Sequence, residues 1–314
     1  MNGPQATMLG RRLHLNHGPI DIIAEAFGNE KEVRVAYGQA VVRFGTILEE
    51  LVAELTELRW PVSAVARSFA STTGRRMEAA AQRFFPAFIT PMAAVAGSVA
   101  DEVLAHMVAG RQLDKAYVNN GGDSALHIGN HESLTLAIAG TSNGFADRII
   151  IDASHDVRGV ATSGWRGRSF SFGIADAVTV VARTGADADA AATIIANAVD
   201  LPGHEAVSRA RADSLQPDSD LGSRLVTIGV GSLTRREVAK ALEAGLRKAN
   251  ELRERQLIAA AALFLSGQSR YTQDISMMVL PQQERRGRGH AKRRFSVLET
   301  AVLAHPVKIQ DGRF

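Results

Sequence analysis

The chain has 314 residues, enough for one large domain or two small ones with a real core. Its composition, 46% hydrophobic and 22% charged, is that of a soluble globular protein, and the absence of cysteine excludes a disulfide framework, a thiolate nucleophile, a zinc knuckle and an iron–sulfur site. Net charge is +3, but residues 284–294, ERRGRGHAKRR, hold six of the 36 basic residues and one of the 33 acidic ones, so the remainder carries 30 against 32. Such a run reads as a basic flexible loop within the domain, or as an anion-binding loop at a subunit boundary. A nucleic-acid face would spread its charge and interleave aromatics, which are only 5% of the chain. The N-terminal MNGPQATMLGRRLHLNHG has no basic-then-apolar leader, and no apolar run approaches the ~20 residues that span a bilayer. The expected location is cytoplasmic, with neither nucleic acid nor membrane as partner.

Residues 12–18 alternate apolar and polar like a half-buried strand, and 21–27 read as its hairpin partner. Residues 31–58 follow a helical period, with Val41, Ile47, Leu48, Leu51, Leu55 and Leu58 on one face and Trp60-Pro61 as the stop. Further helices are expected at 75–85 and 92–109. Strands follow at 115–118, 124–128, 133–139, 146–152, 159–162 and 176–182, then an alanine-rich helix at 186–199. A strand at 225–230 precedes an amphipathic helix at 234–255, with Ser232 or Thr234 ahead of Glu237 as a capping-box start. Strands near 257–264 and 295–309 close the chain. Helices early and strands in the middle indicate a single α+β domain over 1–314, not a regular βαβ alternation.

Three segments carry polar chemistry. The first, YVNNGGDSALHIG at 117–129, runs a strand into Asn120, Gly121, Gly122 and Asp123. An ordinary hairpin would account for the turn. Paired glycines also let backbone N–H groups approach a ligand, with the Asp123 carboxylate beside them. The second, at 159–182, offers the hydroxyls of Thr162, Ser163, Ser169 and Ser171, turns at Gly164 and Gly167, and the guanidinium forks of Arg166 and Arg168. It reads either as a polar surface loop or as a ligand loop held between apolar strands.

The third is the alanine-rich helix, where Asp189, Thr193 and Asn197 recur every fourth residue and so share one face. Asp189 near the helix start fits the dipole, Thr193 can bond its own i−4 carbonyl, and Asn197 can tie down a loop. The Asp189–Thr193 pair also supplies the partial hard-oxygen shell that magnesium takes from protein. Among the scattered histidines, only His155, just ahead of the hydroxyl-rich loop, is nominated for chemistry.

In this order NNGGD, ATSG, DAVTVVA and ADADAAAT resemble the motifs of ApbE-like proteins, and the ATSGW…RSFSFGIADAVTV form resembles a UPF-type branch of that superfamily. The specific motifs cover about 90–200. The superfamily includes magnesium-dependent flavin transferases, which cleave FAD and attach FMN to a threonine of a target protein. The resemblance implies mixed or antiparallel sheets packed with helices. It also implies Gly121, Gly122 and Asp123 at a flavin nucleotide, Thr162-Ser163-Gly164 ahead of the last strand, and Asp189 with Thr193 on Mg2+. The chain departs from the transferases in two places. It lacks their His-x-x-Asp-Pro-x-Thr-Gly segment, and Ala96 stands where they carry a lysine.

The sequence thus supports a small-ligand pocket with Asp123, His155 and Ser163 as catalytic candidates. Asn120, Gly121, Gly122, Thr162, Gly164, Arg166 and Arg168 are candidates for holding FAD, FMN or another small anionic or heterocyclic ligand, with Asp189 and Thr193 for the metal. Its activity would be metal-dependent phosphoryl or nucleotidyl chemistry. The alternatives are a non-catalytic flavin or small-ligand component of a catabolic redox system, or a polar stripe that is only a structural network in a homo-oligomer.

Overall fold

The computed structural model describes residues 3–137, 148–272, 279–280 and 297–298. The basic segment 284–294 and most of the strand expected at 295–309 lie outside them. The chain opens with β1 (Gln5–Leu9), β2 (Arg12–His17) and β3 (Ile20–Gly28), followed by α1 (Glu30–Ala53) and the single turn α2 (Leu55–Leu58). The sequence pattern predicts one helix here, but the structure breaks it at Glu54. That carboxylate accepts the Ala70 and Ser71 N–H groups and the Ser71 hydroxyl, so it serves the start of α3 (Thr72–Gln82) and does not extend its own helix.

A 3-10 turn at Pro91–Ala94 leads into α4 (Val95–Val108), then β4 (Leu113–Asn120), β5 (Asp123–Ile128), β6 (Ser133–Ala137), β7 (Arg148–Asp152), β8 (Gly159–Ser163) and β9 (Ala177–Ala182). After these come α5 (Gly185–Ala198), β10 (Val207–Arg211), α6 (Ala212–Leu215), β11 (Leu225–Val230), α7 (Arg235–Glu254), β12 (Ala260–Leu265) and β13 (Gln268–Tyr271). Thr234 and Glu237 form the expected capping box of α7. Two short strands, β14 (Val279–Leu280) and β15 (Val297–Leu298), complete the described elements.

Nine strands make one sheet in the order β1-β2-β3-β4-β5-β8-β9-β12-β13, antiparallel at every step. A second sheet, β14-β7-β6-β15, is mixed, with β15 parallel to β6. The fold is therefore α+β, with antiparallel and mixed sheets packed with helices. Strand alternation divides the large sheet into two faces. Val178, Val180 and Ala182 of β9 meet α5 and α7, while Ala177 and Val181 meet Leu134, Leu136, Ile149 and Ile151 of the small sheet. Toward the other end, β2–β5 pack on α1 and α4 through Ile22, Val118, Phe44 and Val103.

Helix α5 lies against β8 and β9 on one side and α4, α3 and α7 on the others. Its alanines let backbones close in on it, and glycines complete the approach. A Cβ at Gly97 of α4 would lie 2.2 Å from the Gly185 carbonyl oxygen, one at Gly159 of β8 2.0 Å from Thr184, and one at Gly173 2.0 Å from the Ala196 oxygen. No methyl group fits these gaps without moving backbone. Gly97→Ala is therefore expected to lower stability by about 1–3 kcal/mol in denaturant unfolding despite alanine's better helix propensity. An unchanged or raised midpoint would show that the two helices separate freely.

Candidate functional site

Helices α4 and α5 meet at their N-terminal ends and exchange carboxylates there. Asp101 of α4 accepts the Gly185 and Ala186 N–H groups at the start of α5, at 2.9 and 2.8 Å. Asp189 of α5 accepts the Gly97 N–H at 3.0 Å, and Ala96 also donates a backbone hydrogen bond to it, at the start of α4. Both carboxylates thus serve N–H groups that have no partner within their own helix. Burial raises Asp101 to about 6. Burial also holds Asp189 well above the ordinary carboxylate range, and the negative charge of Asp123 raises it further.

Asp123 reaches this corner from the sheet. Within β4 and β5, Val118 and Ala125 face the helices, so Asn120 and Asp123, each two residues along, face them too. Asn120 Nδ2 donates to the Ala96 carbonyl at 3.1 Å. Asp123 is buried and accepts the Thr162 N–H at 3.0 Å. Burial pushes its carboxyl up to about 7, against the opposing pull of the Thr162 N–H and the Arg168 charge. Gly121 and Gly122 have φ of +62° and +120°, a backbone that side chains rarely adopt. The space a Cβ would fill at Gly121 is taken by the Arg168 guanidinium, 1.8 Å from that position. Arg168 itself is exposed, and no described residue hydrogen-bonds or ion-pairs with it.

The structure therefore brings Asn120, Gly121, Gly122, Asp123, the Thr162 N–H, Arg168 and Asp189 to one corner. Ser163 points to the α5 side of β8, by alternation with Ala161, and Thr193 lies one turn along α5 from Asp189. Neither hydroxyl has a hydrogen-bond partner among the described residues.

Other sequence candidates lie elsewhere. The Thr162 hydroxyl is on the opposite face, 2.9 Å from that of Thr179. Arg166 is ion-paired to Asp176 at 2.6 Å and stacked on Trp165. Gly164 packs against the carbonyls of Ala175 and Asp176 and does not open onto the corner. His155 sits at the other end of β8, 2.9 Å from Asp152. Asn197 accepts the Ser171 hydroxyl and the Phe172 N–H, so the third member of the stripe ties down a loop.

Sequence reasoning missed Asp101 and the Ala96–Gly97 N–H pair. The signal was Gly97 four residues ahead of Asp101, the first turn of a helix that something must approach. Among the described residues, no group of three or more His, Cys, Asp or Glu side chains is placed to hold a metal ion.

The family model described as "AbpE bacteria" matches residues 5–271. The chain belongs to this family. Its membership in an ApbE-like family agrees with the motif order from NNGGD to ADADAAAT. The match to curated relatives of the AbpE-family chain is shorter. A UPF0280 protein of Methanothermobacter thermautotrophicus is 38% identical over 116 residues, 36% of this chain and 44% of that protein. One of Methanosarcina acetivorans is 42% identical over 122 residues, 38% and 46% respectively. The chain thus spans about half the length of the curated relatives it matches. Among solved structures, the apo form of Pseudomonas stutzeri flavinyl transferase ApbE aligns over 88% of this chain and 98% of its own, at 11% identity and a TM-score of 0.42. No helix among the described residues is long and apolar enough to cross a membrane.

The raised carboxyls set the pH dependence of this AbpE-family fold. Asp123 titrates near 7 when folded and in the ordinary range near 3.8 when unfolded, so between those values the folded chain holds the extra proton. Its contribution to stability is full below about 4 and is lost as pH rises through 7. Asp123→Asn keeps an acceptor for the Thr162 N–H and removes the titration. In metal-free buffer it is expected to flatten the fall in Tm between pH 5 and 8 and to exceed the parent at pH 8, by on the order of 1–3 kcal/mol. A parent Tm that does not fall over this range would contradict the assignment.

Proposed function

We propose that the corner between the Gly121-Gly122 turn and the facing ends of α4 and α5 binds a flavin nucleotide, FAD or FMN, together with Mg2+. The observation that carries this reading is the seating of an exposed Arg168, without a hydrogen-bond or ion-pair partner among the described residues, in the space over Gly121, above a buried Asp123 whose charge reaches Asp189. An arginine fork and bare backbone at a positive-φ turn suit a phosphate. The motif resemblance supplies the flavin part of the proposal.

The side chains present fit a hard cation. Asp189 accepts the Gly97 and Ala96 N–H groups, Asp123 raises its proton affinity by charge, and Thr193 offers a hydroxyl without a hydrogen-bond partner among the described residues. Two carboxylates that repel each other are stabilised by a cation or a shared proton between them. With so few protein ligands, the remainder of the shell would be water and ligand phosphate, as Mg2+ prefers. When bound, the ion would neutralise charge on the phosphates.

The protein's own groups then divide the work. Arg168 holds and orients a phosphate from the solvent side. The Gly121-Gly122 backbone admits the ligand closely. Asp123, with a carboxyl titrating near 7, can hold or release a proton at its free oxygen in the neutral range. Ser163 lines the wall beside α5.

A second reading, ligand binding without turnover, is favoured by one observation. His155, the histidine nominated for chemistry, is held by Asp152 at the far end of β8. Incubation with FAD and Mg2+, followed by separation of nucleotides, distinguishes the two. Release of FMN and AMP supports the transferase-like reading, and quenched flavin fluorescence without AMP supports the binding protein. Arg168→Ala is expected to weaken flavin binding about tenfold or more, the loss of one charge-assisted contact of ~1.5–3 kcal/mol, with an unchanged Tm. Absence of flavin binding by the parent protein, with and without Mg2+, would sink the proposal.

A further inference from the structure

Helices α4 and α5 carry the same unit in their first turns, a glycine four residues ahead of an aspartate: Gly97 and Asp101 on α4, Gly185 and Asp189 on α5. Four residues put each pair on one helix face. The two faces meet and trade the same contacts. The Gly97 N–H donates to Asp189 at 3.0 Å, and the Gly185 N–H donates to Asp101 at 2.9 Å. A Cβ on Gly97 would lie 2.2 Å from the Gly185 carbonyl oxygen, and one on Gly185 would lie 2.9 Å from the Gly97 carbonyl oxygen. The contact is a reciprocal clasp. Neither helix can turn or slide without breaking a hydrogen bond to the other's aspartate.

The two aspartates have different surroundings. Asp189 feels the charge of Asp123 at the corner and, less strongly, that of Asp101. Asp101 gives both carboxylate oxygens to backbone, Oδ1 to the Gly185 N–H and Oδ2 to the Ala186 N–H at 2.8 Å. The charges bearing on it include Arg76 and Asp187. A two-oxygen grip on successive N–H groups fixes both the rotation and the axial position of the start of α5. We propose that Asp101 is a positioning residue, which through this clasp sets Asp189, one turn further along α5, to meet a cation. Ligands to a metal are commonly oriented in this way by groups that never touch it. The cation part of the proposal rests on the Mg2+ reading of the corner, and the clasp does not.

Amide hydrogen exchange of the full chain in metal-free buffer tests the clasp. In the parent, the Ala96, Gly97, Gly185 and Ala186 amides are expected to open together, with one dependence on denaturant. Asp101→Asn keeps an oxygen for one of the two N–H groups and loses the charge. It is expected to lower protection roughly tenfold or more at Gly97, whose acceptor is Asp189, as well as at Gly185 and Ala186. Should that variant not fold, Asp189→Asn reads the same coupling in reverse, at Gly185 and Ala186. Parent-like protection of Gly97 in Asp101→Asn, or separate opening of the two amide pairs in the parent, would overturn the clasp. Binding of Mn2+ alone, followed by its electron paramagnetic resonance signal, tests the consequence. Asp101→Asn and Asp101→Glu are both expected to weaken it roughly tenfold or more, because glutamate keeps the charge but carries it one methylene too far. Parent-like Mn2+ binding by Asp101→Glu would show that only charge is felt and would overturn the positioning role. A parent that binds no Mn2+ removes the cation reading of the corner and this consequence with it, while the exchange coupling still decides the clasp.

Discussion

Two helix N-termini facing each other are an electrostatic problem. Each carries the equivalent of roughly half a positive charge on N–H groups without partners. In this fold α4 and α5 meet that way, near enough that Gly97 and Gly185 tolerate no side chain between them. Asp101 and Asp189 solve the problem reciprocally, each lying on one helix and bonding the N–H groups of the other. Much of the remaining architecture follows from this contact. The alanines of α5, the glycines around it and the packing of β8 against the same helix all serve an approach governed by backbone, not by large side chains.

The strands then add a third acid to a corner that already holds two. Asp123 is buried, and its charge is felt by Asp189. Burying several like charges together is unfavourable unless protons, cations or hydrogen bonds offset them. Here the offsets are the Thr162 N–H, the helix ends and the charges of Arg168 near Asp123 and Arg76 near Asp101. The corner is left with protons it holds weakly near neutral pH and with an electrostatic demand for positive charge. A structural network that only had to join two helices would not require Asp123 there.

The regular part of this fold was legible in the sequence because its signals are local. The α7 capping box, the β2–β3 hairpin and the β9 strand, apolar but for Thr179, each declare themselves within a few residues. The strands β1, β10 and β13 were not, since QATML, VSRAR and QSRY bury none of their residues fully and show no apolar face. The break at Glu54 was hidden because its cause is a partner 16 residues away. The polar stripe on α5 was visible, but its three members do three different things. Asp189 caps a helix, Thr193 has no hydrogen-bond partner among the described residues, and Asn197 anchors a loop. Spacing along a helix says which side chains share a face and is silent on what stands opposite. Arg166 and Arg168 looked equivalent two residues apart. Only Asp176 and the gap over Gly121 separate their roles.

That gap has a consequence for how the family can vary. The seat of Arg168 is made by a missing methyl group, so residue 121 acts as a size filter on a cation in the segment that follows the neighbouring strand β8. Anything larger than hydrogen there evicts the guanidinium to solvent and leaves the acid beneath without its counter-charge. Change at one turn glycine would thus alter the surface charge and the proton affinity of Asp123 together, without touching a residue that bears a functional group.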